Sequence, residues 1–171
     1  MKICLMILPL LFVGMIANGQ SSKPLWVKMG TGFHHDVGLM KTEWGGVVGV
    51  GIDMNDKPNR WQIGLELSKF SERLADESYN SFRGWSGSIQ IGRIWTTGLK
   101  LNDQNIEIGG GLLGIENFHS RQNNMPGAGV YGRVLIPVYL SDSGERLHVI
   151  IEPSLFGDGL IRGVFGLNYR F

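Results

Sequence analysis

The chain has little cysteine, little charge and, beyond residue 20, no long hydrophobic run. Its only cysteine, Cys4, lies before an N-terminal apolar run, so the rest of the chain has no disulfides and no thiol chemistry. The formal net charge is +1 at pH 7, and a nucleic-acid-binding protein would need a basic face, so no nucleic acid partner is expected. A transmembrane helix needs about 18 consecutive apolar residues, which excludes helical membrane spans after residue 20.

The N-terminus has the features of an export signal. Lys2 gives a positive start, residues 5–16 are apolar, and Ala17-Asn18-Gly19 places small residues where a signal peptidase reads them. A short buried helix is the alternative, but the polar residues that follow do not continue a helical pattern. We therefore predict a signal peptide over residues 1–19 and one domain over residues 20–171. A lipid anchor is not expected, because Cys4 precedes the apolar run.

The rest of the chain alternates between apolar and polar residues, which is typical of β-strands. Each of eight segments is close to the about 9–11 residues of a tilted transmembrane strand. The prediction is an all-β fold, an eight-stranded antiparallel up-and-down transmembrane β-barrel. The predicted strands span residues 25–33, 44–54, 60–69, 82–95, 105–115, 128–140, 147–156 and 160–171.

The connections between these segments alternate in length, as in bacterial outer-membrane barrels. Residues 55–58, 98–103 and 141–145 are short and rich in turn-forming residues. Residues 34–43, 70–81 and 116–127 are longer, and the fourth connection on that side, 157–159, is very short. The alternation predicts short periplasmic turns and longer outer loops. No motif in these loops identifies a partner.

The two faces of the predicted strands differ, and the difference separates a membrane barrel from a soluble one. One face is apolar; the other is rich in glycine with a few charges of both signs. A solvated face normally carries Lys, Glu, Asp and Thr, whereas glycine suits a crowded lumen. The pattern therefore favours an apolar face toward lipid. A secreted, soluble, lipocalin-like barrel with the apolar face inside is the alternative.

Aromatic residues cluster near the predicted strand ends, as in the interfacial belts of membrane barrels. For Trp26 the alternation points inward, so core packing is expected there. Arg93 falls on the lipid face, which implies either a snorkelling side chain or a β-bulge that shifts the alternation. The residues expected in the belts are Trp44, Trp61, Trp95, Tyr139, Tyr169 and Phe171.

The last strand carries large apolar groups at alternate positions and ends in an aromatic residue. It resembles the C-terminal strand of bacterial outer-membrane barrels, and the whole domain resembles the small barrels of the OmpX and OmpA-transmembrane type. The resemblance implies a Gram-negative outer-membrane location, contact with outer-membrane lipid and lipopolysaccharide, and recognition by the barrel-assembly machinery. The residues that carry the assembly signal would be Phe165, Leu167, Tyr169 and Phe171.

The lumen of an eight-stranded barrel is just wide enough for side chains, so inward charges must be paired. We predict an Arg133–Glu152 ion pair, extended by Gln62, Glu66, Gln90 and Arg162, and a separate lower cluster of Lys28, Asp53 and Glu107. Such a network is interpreted as a polar plug, and the alternative is a gated pore or proton path. No cofactor and no metal are expected. The favoured function is structural or one of surface interaction, not that of a general porin.

An enzymatic role is the other alternative. Pro137 and Pro153 remove backbone donors from adjacent strands, and with the aromatic last strand they resemble the lateral gap of the lipid A palmitoyltransferase (PagP) family. That resemblance implies acyl-chain entry between the strands and a histidine at the first outer loop. The Asp-Ser pair of that family is absent here. If the chain is an enzyme, the candidate groups are His34 or His35 as base, Ser71 as hydroxyl, and Glu72 or Asp76 to orient the base.

Overall fold

The computed structural model describes residues 25–38, 40–55, 57–70, 84–117, 127–140, 146–157 and 159–171. These residues form eight β-strands, and no helix among them is long and apolar enough to span a membrane. The predicted signal peptide and most of two predicted outer loops lie outside these ranges. The strands are β1 (Leu25–Asp36), β2 (Lys41–Asp53), β3 (Arg60–Phe70), β4 (Gly84–Leu101), β5 (Gln104–Asn117), β6 (Gly127–Leu140), β7 (Arg146–Phe156) and β8 (Leu160–Arg170).

The strands form one closed antiparallel barrel in which each strand pairs with its neighbour in sequence. β8 pairs with β1, from Trp26 opposite Arg170 to Asp36 opposite Leu160, and this ladder leaves no edge strand. The predicted eight-stranded up-and-down barrel is therefore confirmed. We call the end where β1 begins and β8 finishes the lower end, and the opposite end the upper end.

The alternation of side chains puts the apolar face outside and the polar face inside. Outward residues such as Trp44 and Leu112 are 58% and 68% exposed, whereas inward Glu152 and Arg162 are fully buried. A soluble ligand-binding barrel has the opposite arrangement, with apolar residues around its cavity. The two faces are thus oriented as the glycine-rich polar pattern predicts.

The connection between β1 and β2 is shorter than predicted. The polar residues His34 to Asp36 continue β1, and His35 pairs with Thr42 of β2, so only residues 37–40 connect the strands. Met40 adopts a positive φ of 53°, which closes this tight turn. The long first outer loop predicted over residues 34–43 is therefore wrong, because strand pairing at a sheet end accepts polar residues.

The hairpin of β4 and β5 also extends beyond the predicted strand ends. β4 continues to Leu101, and only Asn102 and Asp103 form the turn, with φ values of 50° and 61°. Two successive positive φ values are typical of the tight turns that match the twist of a hairpin. The register shifts between Thr96 and Lys100, so a β-bulge separates the barrel wall from the extended hairpin.

The aromatic side chains near the strand ends face the sides of the barrel that the alternation predicts. Trp26 is 1% exposed inside the lumen, while Trp61 and Trp95 are on the outer surface near the lower end. Arg93 lies between these two rings, with its guanidinium carbon 6.0 Å from the centre of Trp61 and 5.8 Å from that of Trp95. The β3–β4 and β4–β5 registers are regular through Arg93. Arg93 therefore points outward from a regular part of β4, and the β-bulge lies between Thr96 and Lys100, closer to the lower end.

Candidate functional site

Small residues on the inward face make room for a few large side chains in the lumen. The ring of Trp26 occupies the space that a Cβ atom would need at Gly51 and at Gly64, and Tyr131 does the same at Gly92. The guanidinium of Arg133 lies 5.3 Å from the Trp26 ring centre and 5.2 Å from that of Tyr131. Glycine in these strands thus serves close packing and not flexibility.

The central cluster of the lumen consists of Lys28, Glu66, Arg133, Glu152 and Arg162. Nε of Arg133 donates to Glu152 over 2.7 Å, and a second guanidinium nitrogen contacts the same carboxylate. Lys28 lies 2.9 Å from Glu152 and 2.6 Å from Glu66, which also contacts Arg162. The cluster combines three cations with two carboxylates, and all five side chains are buried. Nε and Nη1 of Arg162 find no hydrogen-bond partner among the described residues.

Gln90 connects the charges of the central cluster. Its Oε1 accepts from Arg133 over 2.7 Å and from Lys28 over 3.3 Å, and its Nε2 donates to Glu152 over 2.8 Å and to Glu66 over 3.3 Å. One amide therefore offers its oxygen to two cations and its nitrogen to two carboxylates. This complementarity fixes the side chain in one orientation.

The lower cluster consists of Asp53, Arg60, Glu107 and Arg170. Arg60 donates to Asp53 over 2.7 Å and to both oxygens of Glu107 over 2.8 and 2.5 Å, and Arg170 lies 2.9 Å from Asp53. The structure brings the predicted Asp53 and Glu107 together through Arg60, a residue the prediction omitted. Arg60 shares the inward alternation of Gln62 and Glu66, which is the signal that identifies it.

Lys28 does not belong to the lower cluster, so that part of the prediction is wrong. Its side chain extends toward Glu66 and Glu152, and a Cβ at Gly49 opposite it on β2 would lie 3.0 Å from its Cε. The absence of a side chain at Gly49 leaves room for the lysine to reach the central carboxylates. Alternation gives the face of a residue, but it does not give the direction of a long side chain along the lumen.

Gln62 connects the two clusters. Its Oε1 accepts from Nη1 of Arg133 over 2.8 Å, and its Nε2 donates to Asp53 over 2.5 Å. The predicted lumen residues Gln62, Glu66, Gln90, Arg133, Glu152 and Arg162 therefore form one network with Lys28, and Gln62 extends it to the lower cluster. Each carboxylate of the network contacts at least one guanidinium or ammonium group, as buried charges require.

The two ends of the lumen have different linings. Toward the upper end, Leu113, Ile115, Tyr131, Phe156 and Leu160 form a buried apolar cluster. At the lower end, a cavity of about 460 Å³ is lined by Arg60, Glu107 and His148 of the interior and by residues of the turns. His148 is 2% exposed, and its Nδ1 has no hydrogen-bond partner among the described residues. We call this cavity the lower vestibule.

The candidate catalytic residues do not form one site in the described part of the chain. His34 points into the lumen, where it is 3% exposed and lies opposite Arg162 in the β1–β8 register. His35 points outward and shares a hydrogen bond of 2.9 Å with Thr42. Successive residues of an extended strand point to opposite faces, so the two imidazoles diverge. Ser71, Glu72 and Asp76 lie outside the described residues.

The two prolines of β6 and β7 lie at separate irregularities. Pro137 faces inward opposite His148, and the register shifts between Pro137 and Tyr139. Pro153 faces outward and has no N–H to donate. The β6–β7 ladder is interrupted beside it, at Gly132 and Arg133 of β6. The strands pair on both sides of each proline, from Tyr131 opposite Ser154 to Leu140 opposite Arg146. A lateral gate at Pro137 and Pro153 stays a prediction.

The bulge after Pro137 also changes how Arg133 meets Glu152. Pairing symmetric about Ser143 would set Arg133 opposite Pro153, and that register holds only next to the turn, where Leu140 pairs with Arg146. Beyond the bulge the register moves by one residue, so Arg133 is directly across from Glu152. Residues opposite each other in an antiparallel pair share a face, so two inward residues require this shift.

Among the described residues, no group of three or more His, Cys, Asp or Glu side chains could hold a metal ion.

Comparison with known proteins supports the architecture. No protein-family model matches the chain, and no curated protein matches it in sequence. Among solved structures, the crystal structure of Neisserial surface protein A (NspA), an eight-stranded outer-membrane barrel, is similar to it with a TM-score of 0.53 and 12% sequence identity. The match covers 88% of this chain and 96% of that one. The likeness is one of fold. At this identity it says nothing of residues or ligands.

Proposed function

We propose that this chain is an integral outer-membrane barrel with a filled lumen, which serves a structural or surface-interaction role and does not act as a general porin. The outward face supports the membrane location. Large apolar side chains are exposed on every strand, and a soluble protein of this size rarely exposes contiguous apolar surface on this scale. Aromatic rings lie toward both ends of that surface, as membrane interfaces favour. The fold of Neisserial surface protein A agrees with this location.

The network in the lumen is the observation that carries the functional part of the proposal. Charged side chains from seven of the eight strands meet in the interior, and Gln62 and Gln90 connect them. Above them the apolar cluster of Leu113, Ile115 and Phe156 is buried. Among the described residues, paired charges and packed apolar groups occupy the lumen, and this supports a closed barrel in contrast to the water-filled lumen of the larger porins. The barrel then acts as a rigid support for its outer connections, residues 71–83 and 118–126.

Planar-bilayer recordings test this function. The folded barrel should give no large, stable, open conductance under an applied potential. Glu66→Gln and Glu152→Gln should leave the closed state in place or destabilise the barrel as a whole, because they unpair charges without removing side-chain volume. A steady conductance of the wild-type barrel that rises in these variants would identify a pore and contradict the filled-lumen proposal.

Heat-modifiable migration on a gel tests the location. A folded membrane barrel resists detergent and migrates differently before and after boiling, and fractionation should recover the protein with the outer membrane. Recovery of the mature chain in the soluble periplasm without detergent would contradict the membrane location.

A further inference from the structure

The outer surface of the barrel has a groove that the lumen network does not explain. It lies across β8, β1, β2 and β3 and reaches Trp85 of β4, with a volume of about 570 Å³, within the range of about 300–1,000 Å³ for small-molecule sites. We call it the flank groove. Its apolar walls are formed by Met29, Val48, Leu67 and Leu167.

Glycine creates this groove on a face that otherwise carries large side chains. Gly46 points outward from β2, and a Cβ atom at this position would meet nothing within 4 Å. Its partners in register are Thr31 on β1 and Lys69 on β3. Gly30 and Gly166 are opposite each other on the inward face, and only their backbone borders the base of the groove. The recess thus follows from the missing outward side chain at Gly46.

The upper end of the groove carries a cation. Lys69 lies near the upper end of β3, with its Nζ 5.5 Å from the ring centre of Trp85. Trp85 and Trp44 are exposed on the same surface and belong to the upper aromatic belt. Such belts mark the level of lipid head groups, and the apolar part of the groove runs from there toward the middle of the barrel. A positive group above an apolar slot is complementary to an amphiphile with an anionic head.

From this arrangement we infer that the flank groove binds one acyl chain of a phosphorylated lipid of the outer leaflet, with Lys69 paired to the phosphate. The inference rests on the proposed membrane location, which sets the upper belt at the outer interface. The acyl chain fills the space beside Gly46, and the Lys69 ammonium supplies a charge-assisted hydrogen bond. The site differs from ordinary lipid contact in its selectivity for a phosphate and in its dependence on one glycine.

Native mass spectrometry of the folded barrel in a neutral detergent measures the binding directly. The probes are lipid A with its phosphate groups and the same lipid after enzymatic dephosphorylation. We expect the wild type to retain the phosphorylated lipid at least about tenfold more tightly, as loss of one charge-assisted bond implies. Lys69→Gln should remove that preference, and Gly46→Leu should weaken both lipids because it fills the groove.

Gly114→Leu is the matched control. Gly114 also points outward, and a Cβ there likewise meets nothing within 4 Å, but it lies on β5 away from the groove. This variant should bind both lipids as the wild type does. Equal retention of the two lipids by the wild type, or an equal loss in Gly114→Leu and Gly46→Leu, would overturn the inference. Flotation with liposomes separates the proposed membrane location from the proposed lipid site. A barrel that does not float contradicts the membrane location. A barrel that floats but binds the phosphorylated and the dephosphorylated lipid equally contradicts only the lipid site in the flank groove.

Discussion

The central and lower clusters of the lumen contain the same kinds of residue, but they differ in charge balance and in access to water. The lower cluster pairs two arginines with two carboxylates and borders the lower vestibule, and Arg170 keeps 12% of its side chain exposed. The central cluster sets three cations against two carboxylates, with side chains at most 1% exposed. Water near the lower cluster can replace a lost partner, whereas the central cluster must compensate its charges internally. The consequence of removing one charge should therefore depend on its position in the lumen.

The largest effect is expected for Glu152→Gln. This change leaves three buried cations with only Glu66, and breaking a buried pair from one side typically costs about 3–5 kcal/mol. The free energy of unfolding, measured by urea titration of the barrel in lipid vesicles, should fall by about this amount. Arg133→Met should partly rescue the variant, because it removes the cation that contacts Glu152 most closely. A double variant that is less stable than Glu152→Gln would contradict the pairing.

A smaller loss is expected for Glu107→Gln, the corresponding change in the lower cluster. Arg60 keeps its 2.7 Å bond to Asp53, and the vestibule can solvate the guanidinium groups that faced Glu107. We expect a loss of about 1.5–3 kcal/mol, as for a hydrogen bond to a charged group. The same urea titration compares the two variants. An equal loss in Glu107→Gln and Glu152→Gln would show that access to water does not distinguish the clusters.

Gln62 should couple the two clusters, so that a mutation in one cluster changes the stability effect of a mutation in the other. Gln62→Leu removes the bonds to Arg133 and Asp53, and it should cost about 1–3 kcal/mol because both partners lose a hydrogen bond in a buried site. A double-mutant cycle between Glu152→Gln and Glu107→Gln tests the connection. Their coupling energy should be non-zero in the wild-type background and close to zero in the Gln62→Leu background. Coupling that persists without Gln62 would assign the connection to another path.

The alternation of the sequence was sufficient to predict the barrel and the face of nearly every residue in the network. Period-2 patterning is a local property, and it placed Gln62, Glu66 and Glu152 inside because their neighbours are apolar and outward. The direction of Lys28 along the lumen could not be predicted in the same way. It depends on the space above Gly49 and on carboxylates from β3 and β7, which are distant in sequence.

Strand ends and bulges were the other features that the pattern did not predict. Polar residues such as His34 and His35 look like a loop in sequence, but each is paired on both sides because β1 closes the barrel against β8. The shifts near Thr96 and Pro137 add one or more residues to a strand, and an extra residue is visible only against its partner strand. Strand pairing, and not composition, therefore determines where the strands end and where the bulges lie.

The smallest change in the free energy of unfolding is expected for Arg146, which lies next to the lower cluster. Arg146 and Arg170 are opposite each other in the β7–β8 register on the inward face, and like charges so placed destabilise a sheet by a few tenths of a kcal/mol or more. Because Asp53 compensates Arg170 and Arg146 is exposed, Arg146→Gln should raise the free energy of unfolding by at most about 0.5 kcal/mol at low salt. The gain should disappear at high salt, where exposed charges are screened. Lys100→Gln is the control, because Lys100 is opposite the neutral Asn105. A gain in Arg146→Gln that resists salt, or that Lys100→Gln reproduces, would show that the arginine pair does not cause it.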